Sequence, residues 1–116
     1  MVISMEHMMR LHKKPFELIK SGSKTIELRL NDEKRQLINV GDEITFENRS
    51  NGEKIQTEVI ELHKYLSFEE LYKNFDKVSM EYKEDEEADP KDMEQYYSSE
   101  EQSRYGVVGI ELKLRK

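Results

Sequence analysis

The chain has 116 residues, a formal charge of −6 and no cysteine. That length fits a single domain, residues 1–116, with a modest core; the missing cysteines exclude disulfides and thiolate metal sites and suit a reducing cytoplasm, the expected location. No segment approaches the roughly 20 apolar residues of a membrane span, and Met1 to His7 lack the basic stretch and apolar run of a signal peptide, so a soluble protein with no membrane partner is expected.

Taken in chain order, Met8 to Leu11 is a short apolar run suited to a strand. Pro15 fits the first turn of a helix and Gly22 its stop, which predicts a helix over Pro15 to Ser21 with Phe16 and Ile19 on its apolar face. From Lys24 to Leu30 the apolar residues Ile26, Leu28 and Leu30 alternate with Thr25, Glu27 and Arg29, the period of a strand with one buried and one polar face. Gly41-Asp42 marks a turn into the alternating segment Glu43 to Phe46, and Asn51-Gly52 is a hairpin signal because both residues tolerate positive φ.

The return strand, Lys54 to Tyr65, alternates through Ile55, Thr57 and Val59 and then shifts phase to Ile60 and Leu62, which predicts a bulge or bend. Ser67 with Glu70, and Ser98 with Glu101, have capping-box spacing. Between them, Glu81 to Asp89 has the composition of a mobile acidic loop, and Asp89-Pro90 reads as another helix start. Tyr105 to Leu114 ends in clear alternation and should close the sheet. Five or six strands with short flanking helices predict an α+β domain built on an antiparallel barrel.

The acidic total argues against a polyanionic partner, but its distribution does not. Residues 1–35 hold 8 Lys/Arg against 5 Asp/Glu, a net of +3, whereas residues 81–101 hold 2 against 10, a net of −8. Within the basic part, Thr25, Glu27 and Arg29 share one strand face at about 7 Å per two residues, with Lys24 at the strand's mouth. Arg29 can pair with Glu27 or fork onto a phosphate; Lys24 can bind phosphate as a point charge or, if burial lowers its pKa, act as a base. Periodicity by itself makes this an ordinary solvated face.

The histidines His7, His12 and His63 show no paired ligand spacing, so no metal is expected. Neither a Gly-x-Ser-x-Gly elbow nor a Gly-rich phosphate loop is present, and no cofactor is called for. Tyr96, Tyr97 and Tyr105 suit either stacking on bases or service in the core.

In Gly22-x-Lys24-x-x-Glu27-x-Arg29 the sequence resembles the signature of the ASCH domain family. Val40-Gly41-Asp42-x-Ile44-x-Phe46, Tyr65-x-Ser67-Phe68-Glu69-Glu70-Leu71 and Tyr105-Gly106-Val107-Val108-Gly109-Ile110 follow in matching order, so the likeness spans nearly the whole chain. The resemblance implies a PUA-like fold, a closed barrel with flanking helices around a cleft that takes RNA, a nucleoside or a nucleotide. Its expected ligand-binding residues are Lys24, Thr25, Glu27, Arg29 and Tyr105.

An alternative implied by the resemblance is a hydrolase of acetylated cytidine or of RNA, with Lys24 and Glu27 as catalytic groups. In the amidohydrolase branch the nucleophile is a threonine; that position is Glu27 here, and Thr25 lies two residues away. That branch's glutamate has several candidates between Glu81 and Glu87. A third reading gives the acidic run Glu84 to Glu87 a basic protein partner.

Overall fold

The structure, a computed structural model, describes residues 4–115. The expectations placed on residues 1–3 and on residue 116, the absent leader and the outer limits of the domain, lie outside the described residues. Strand β1 (Glu6–Leu11) leads into helix α1 (Lys13–Ser21). The helix begins two residues before Pro15, which therefore occupies the third helical position; its missing N–H is one of the donors that a first turn leaves unbonded in any case. Gly22 ends the helix at φ +91°, its N–H donating to the Ile19 carbonyl.

Strand β2 (Ile26–Leu30) starts later than its alternation suggests, because the amides of Lys24 and Thr25 donate to Leu18 and Ser79 carbonyls instead of to a strand. Strands β3 (Glu43–Asn48) and β4 (Lys54–Tyr65) form the hairpin. Its connection runs from Arg49 to Glu53, and of the Asn51-Gly52 pair only Gly52 takes positive φ, at +77°. Asn51 contributes its side chain, whose Oδ1 accepts from the Glu53 amide. Helices α2 (Phe68–Tyr72), α3 (Lys77–Met80) and α4 (Ser99–Tyr105) precede β5 (Val107–Leu114), with a 3₁₀ turn at Pro90–Gln95 capped by Asp89. Ser98 and Glu101 form the full reciprocal box, whereas at α2 only the serine half is made, Ser67 Oγ accepting from the Glu70 amide.

The strand order is β1-β3-β4-β5-β2. Three of the four pairings are antiparallel, but β1 and β3 run parallel, Met9 opposite Phe46, which departs from the purely antiparallel expectation. The reason is the crossover: the chain leaves β1 through α1, adds β2 at the far edge, and returns to start β3 beside β1. No ladder joins β1 to β2 among the described residues, so the sheet is a curled half-barrel with an open seam between its two edge strands. The predicted bend in β4 is a register shift between Val59 and Glu61, which leaves Ile60 as the extra, exposed residue.

Two apolar clusters flank β5. Val108, Ile110 and Leu112 pack with Phe16 and Ile19 of α1 and with Ile44, Phe46 and Val59. On its other side, Val107 joins Ile26, Leu28, Phe68, Leu71 and Met80. Gly109 faces the second cluster, where a Cβ would lie 3.1 Å from Ile26 Cγ2 and 3.4 Å from Leu71 Cδ1. Gly109→Val should therefore lower stability by about 1–3 kcal/mol through overpacking, read as a lower urea midpoint at unchanged slope.

Candidate functional site

The polar face of β2 is not solvated, contrary to the expectation from periodicity. Lys24 is 3 % exposed and Glu27 5 %, because the end of α3 and the segment after it fold across them. Lys24 Nζ donates to the Met80 carbonyl at 2.6 Å and lies 3.5 Å from both Glu27 Oε1 and Glu81 Oε1. Arg29 Nε donates to Glu27 Oε2 at 2.7 Å. Each carboxylate oxygen of Glu27 thus faces a different cation. Burial pushes the Glu27 carboxyl up, but Arg29 and Lys24 more than offset it and hold the group below the usual carboxylate range. Burial also opposes the charge on Arg29, and Glu27, with Tyr97 beside it, reverses that effect, so the guanidinium is more firmly protonated than usual.

These three residues form the floor of a cleft of about 430 Å³ at the open seam. One lip is basic: Arg10 from β1, His12 and Lys14 at the start of α1, and Arg49 in the hairpin. Lys14 and Arg49 have no carboxylate partner among the described residues. The opposite wall carries Glu81, Glu86 and Asp92 among tyrosines. Tyr82 Oη donates to Asp92 Oδ2 at 2.7 Å and lies 3.0 Å from Tyr72 Oη. An ionised Asp92 only accepts, so the chain of donors runs from Tyr72 through Tyr82 to Asp92. Burial, reinforced by Tyr72 and Asp92, pushes the Tyr82 phenol far up. Tyr97 stacks on Phe68 with centroids 6.1 Å apart, while Tyr96 is 56 % exposed at the rim.

Of the residues singled out by sequence, Lys24, Glu27 and Arg29 converge. Thr25 does not line the cleft; its amide and carbonyl are bonded to Ser79 and Leu112. Tyr105 lies in a separate hollow with Asn31 and Lys64. The segment expected to be a loose acidic loop is bonded to its neighbours: Lys77 Nζ donates to the carbonyls of Glu84 and Glu86, and Lys83 N to Glu86 Oε1. Among Glu81, Glu84, Glu86 and Glu87, Glu81 is the one that reaches Lys24, at the unusual backbone φ of 144°. Nothing in an acidic run distinguishes that position. His7 bonds Asp42 and His63 bonds Glu111, and no group of three metal-ligating side chains occurs among the described residues.

Glu27→Gln should lower stability at neutral pH by about 3–5 kcal/mol, since it removes the shared partner of buried Lys24 and half-buried Arg29. The native carboxyl titrates below its reference value of 4.5, so its contribution is complete above that pH and is lost as the pH falls through the lower folded value. Urea unfolding of both proteins should show the gap between them narrowing below pH 4.5.

The model of the ASCH domain matches residues 9–115. Among curated proteins none matches the chain. Of solved structures, the hypothetical protein PH0355 is 32 % identical with a TM-score of 0.79, the match covering 96 % of this chain and 99 % of that one. Protein PF0455 from Pyrococcus furiosus is 33 % identical at a TM-score of 0.70, covering 96 % and 98 %. The ASCH protein from Zymomonas mobilis shares the fold at 16 % identity and a TM-score of 0.68, over 93 % of this chain and 66 % of its own. No helix among the described residues is long and apolar enough to cross a membrane. With that domain model matching nearly its whole length, the chain belongs to the ASCH domain family.

Proposed function

We propose that the seam between β1 and β2 binds RNA or a nucleoside, with Arg29 and the basic lip holding phosphate and the rim tyrosines stacking on a base. One observation carries this reading: a floor of buried Lys24 and Glu27 with half-buried Arg29, at the bottom of a cleft that has unpaired cations on one lip and an exposed aromatic ring on the rim. The acidic total of the chain is no obstacle, because the cations of the lip are concentrated where phosphate would arrive. Fluorescence anisotropy with short single-stranded RNAs should give micromolar or weaker binding, with log K falling with log salt by about 0.7 per phosphate contacted. Tyr96→Ala should weaken that binding by about 1–3 kcal/mol and leave the melting temperature unchanged. RNA association that ignores salt, or no association with any RNA or nucleoside, would sink the proposal.

A second reading, hydrolysis of a modified nucleoside or of RNA, is favoured by the approach of two carboxylates, Glu27 and Glu81, to Lys24. Among the described residues the cleft wall holds no serine, threonine or cysteine, so water would be the nucleophile and Glu81, 34 % exposed, the group placed to activate it. Chromatography of acetylated nucleosides and short RNAs should then show turnover that disappears in Lys24→Ala and in Glu81→Gln. Product no higher than the protein-free blank rejects this reading.

A further inference from the structure

Four acids line the seam cleft, Glu27, Glu81, Glu86 and Asp92, and they differ in what they already hold. Glu27 accepts from Arg29 and faces Lys24. Asp92 accepts from the Tyr82 hydroxyl, and Glu86 from the Lys83 amide. The Glu81 carboxylate accepts no hydrogen bond among the described residues: Lys24 stays 3.5 Å away and spends its short bond on the Met80 carbonyl. That side chain is 34 % exposed on the cleft it lines. Its backbone is pinned, the Glu81 amide donating to the Lys77 and Val78 carbonyls and the Tyr82 amide to Lys77 as well. Glu81 is thus an open acceptor leaving from a fixed point.

Across the cleft stands the basic lip of Arg10, His12, Lys14 and Arg49. The space between is about 430 Å³, within the roughly 300–1,000 Å³ of small-molecule sites. A ligand that satisfies both sides carries negative charge at one end and N–H donors at the other. An ionised carboxylate only accepts, and its two oxygens suit two donors side by side. Among the nucleobases guanine has that edge, with N1–H next to the N2 amino group. Adenine, cytosine and uracil each set a ring nitrogen or a carbonyl oxygen beside their donor, and a carboxylate oxygen repels those acceptors. Partial burial, and then the charges of Glu81, Glu27 and Asp92, push the Tyr96 phenol up, so the ring available for stacking stands near the same carboxylates.

We propose that Glu81 selects the base: the cleft takes a guanine nucleotide, its phosphate against the basic lip and its N1–H and N2 amino edge on the Glu81 carboxylate. This rests on the seam being a nucleotide site and names the base that it takes. Free guanine nucleotide and an unpaired guanine in RNA offer the same chemistry, and the test separates them.

Calorimetric titration of wild type and Glu81→Gln with the 5′-monophosphates of guanosine, inosine, adenosine, cytidine and uridine reads the preference directly. Anisotropy with oligouridine carrying one guanosine or one inosine does the same for RNA. Inosine lacks only the N2 amino group, so wild type should favour guanosine over inosine on the order of tenfold, as for one hydrogen bond to a charged group. In Glu81→Gln that ratio should fall towards one, because an amide has a single acceptor oxygen and turns donors towards donors. The ratio compares two ligands on one protein, so a loss of folded protein does not alter it. Preference seen with the monophosphate as strongly as with the oligomer identifies free nucleotide as the ligand; preference confined to the oligomer identifies RNA. Equal affinity for guanosine and inosine in wild type, or an unchanged ratio in Glu81→Gln, would overturn the role of Glu81 and leave the seam standing as a nucleotide site. No binding of any nucleotide or RNA removes both.

Discussion

A carboxylate taken out of water must be matched by positive charge and by donors, or it neutralises or unfolds the site. Glu27 meets that requirement with Lys24 and Arg29, both drawn from the same short stretch of chain. What is not local is the cover. Lys24 also needs the Met80 carbonyl, at the end of α3, and Met80 is itself 1 % exposed in the second apolar cluster. The charged floor thus ties the family signature to a helix more than fifty residues away. Glu81, at its strained φ, is the joint between the two.

The seam follows from the topology. An open sheet leaves two edges with unpaired backbone groups, which folds must cover or charge to avoid pairing with other chains. Here the edges belong to the one half-barrel, β1 and β2, and the space between them is lined with charge: Arg10 on one side and Glu27 with Arg29 on the other. The same arrangement that guards the edges produces a hollow lined with polar groups. The rigid part of the cleft is its ion-paired floor, while the exposed lip residues Lys14, Arg49 and Tyr96 are free to adapt.

Much of this was legible in the residues. Period-two alternation located β2 and β5, the phase shift at Val59 gave the bulge in β4, and Pro15, Gly22 and the Ser98-Glu101 spacing marked helix ends. These are local signals with local causes. The parallel pairing of β1 escaped because direction within a sheet depends on a crossover that no short window contains. The burial of Lys24 and Glu27 escaped for the same reason: alternation reports which face a residue takes, not what later covers that face. Glu81 and Tyr82 lay inside a run of acids whose composition speaks of solvent, while their contacts are set by Lys24, Tyr72 and Asp92.

The position of β5 carries a temporal consequence. It lies inside the sheet, between β4 and β2, although it comes after every other strand in the chain. Until the ribosome has released residues up to Leu114, β2 has no neighbour to hydrogen-bond and Val107 to Leu112 cannot divide the two apolar clusters. A nascent chain therefore carries Lys24, Glu27 and Arg29 on an unpaired segment, and the cleft around them forms only when synthesis reaches the strand that locks the others in place.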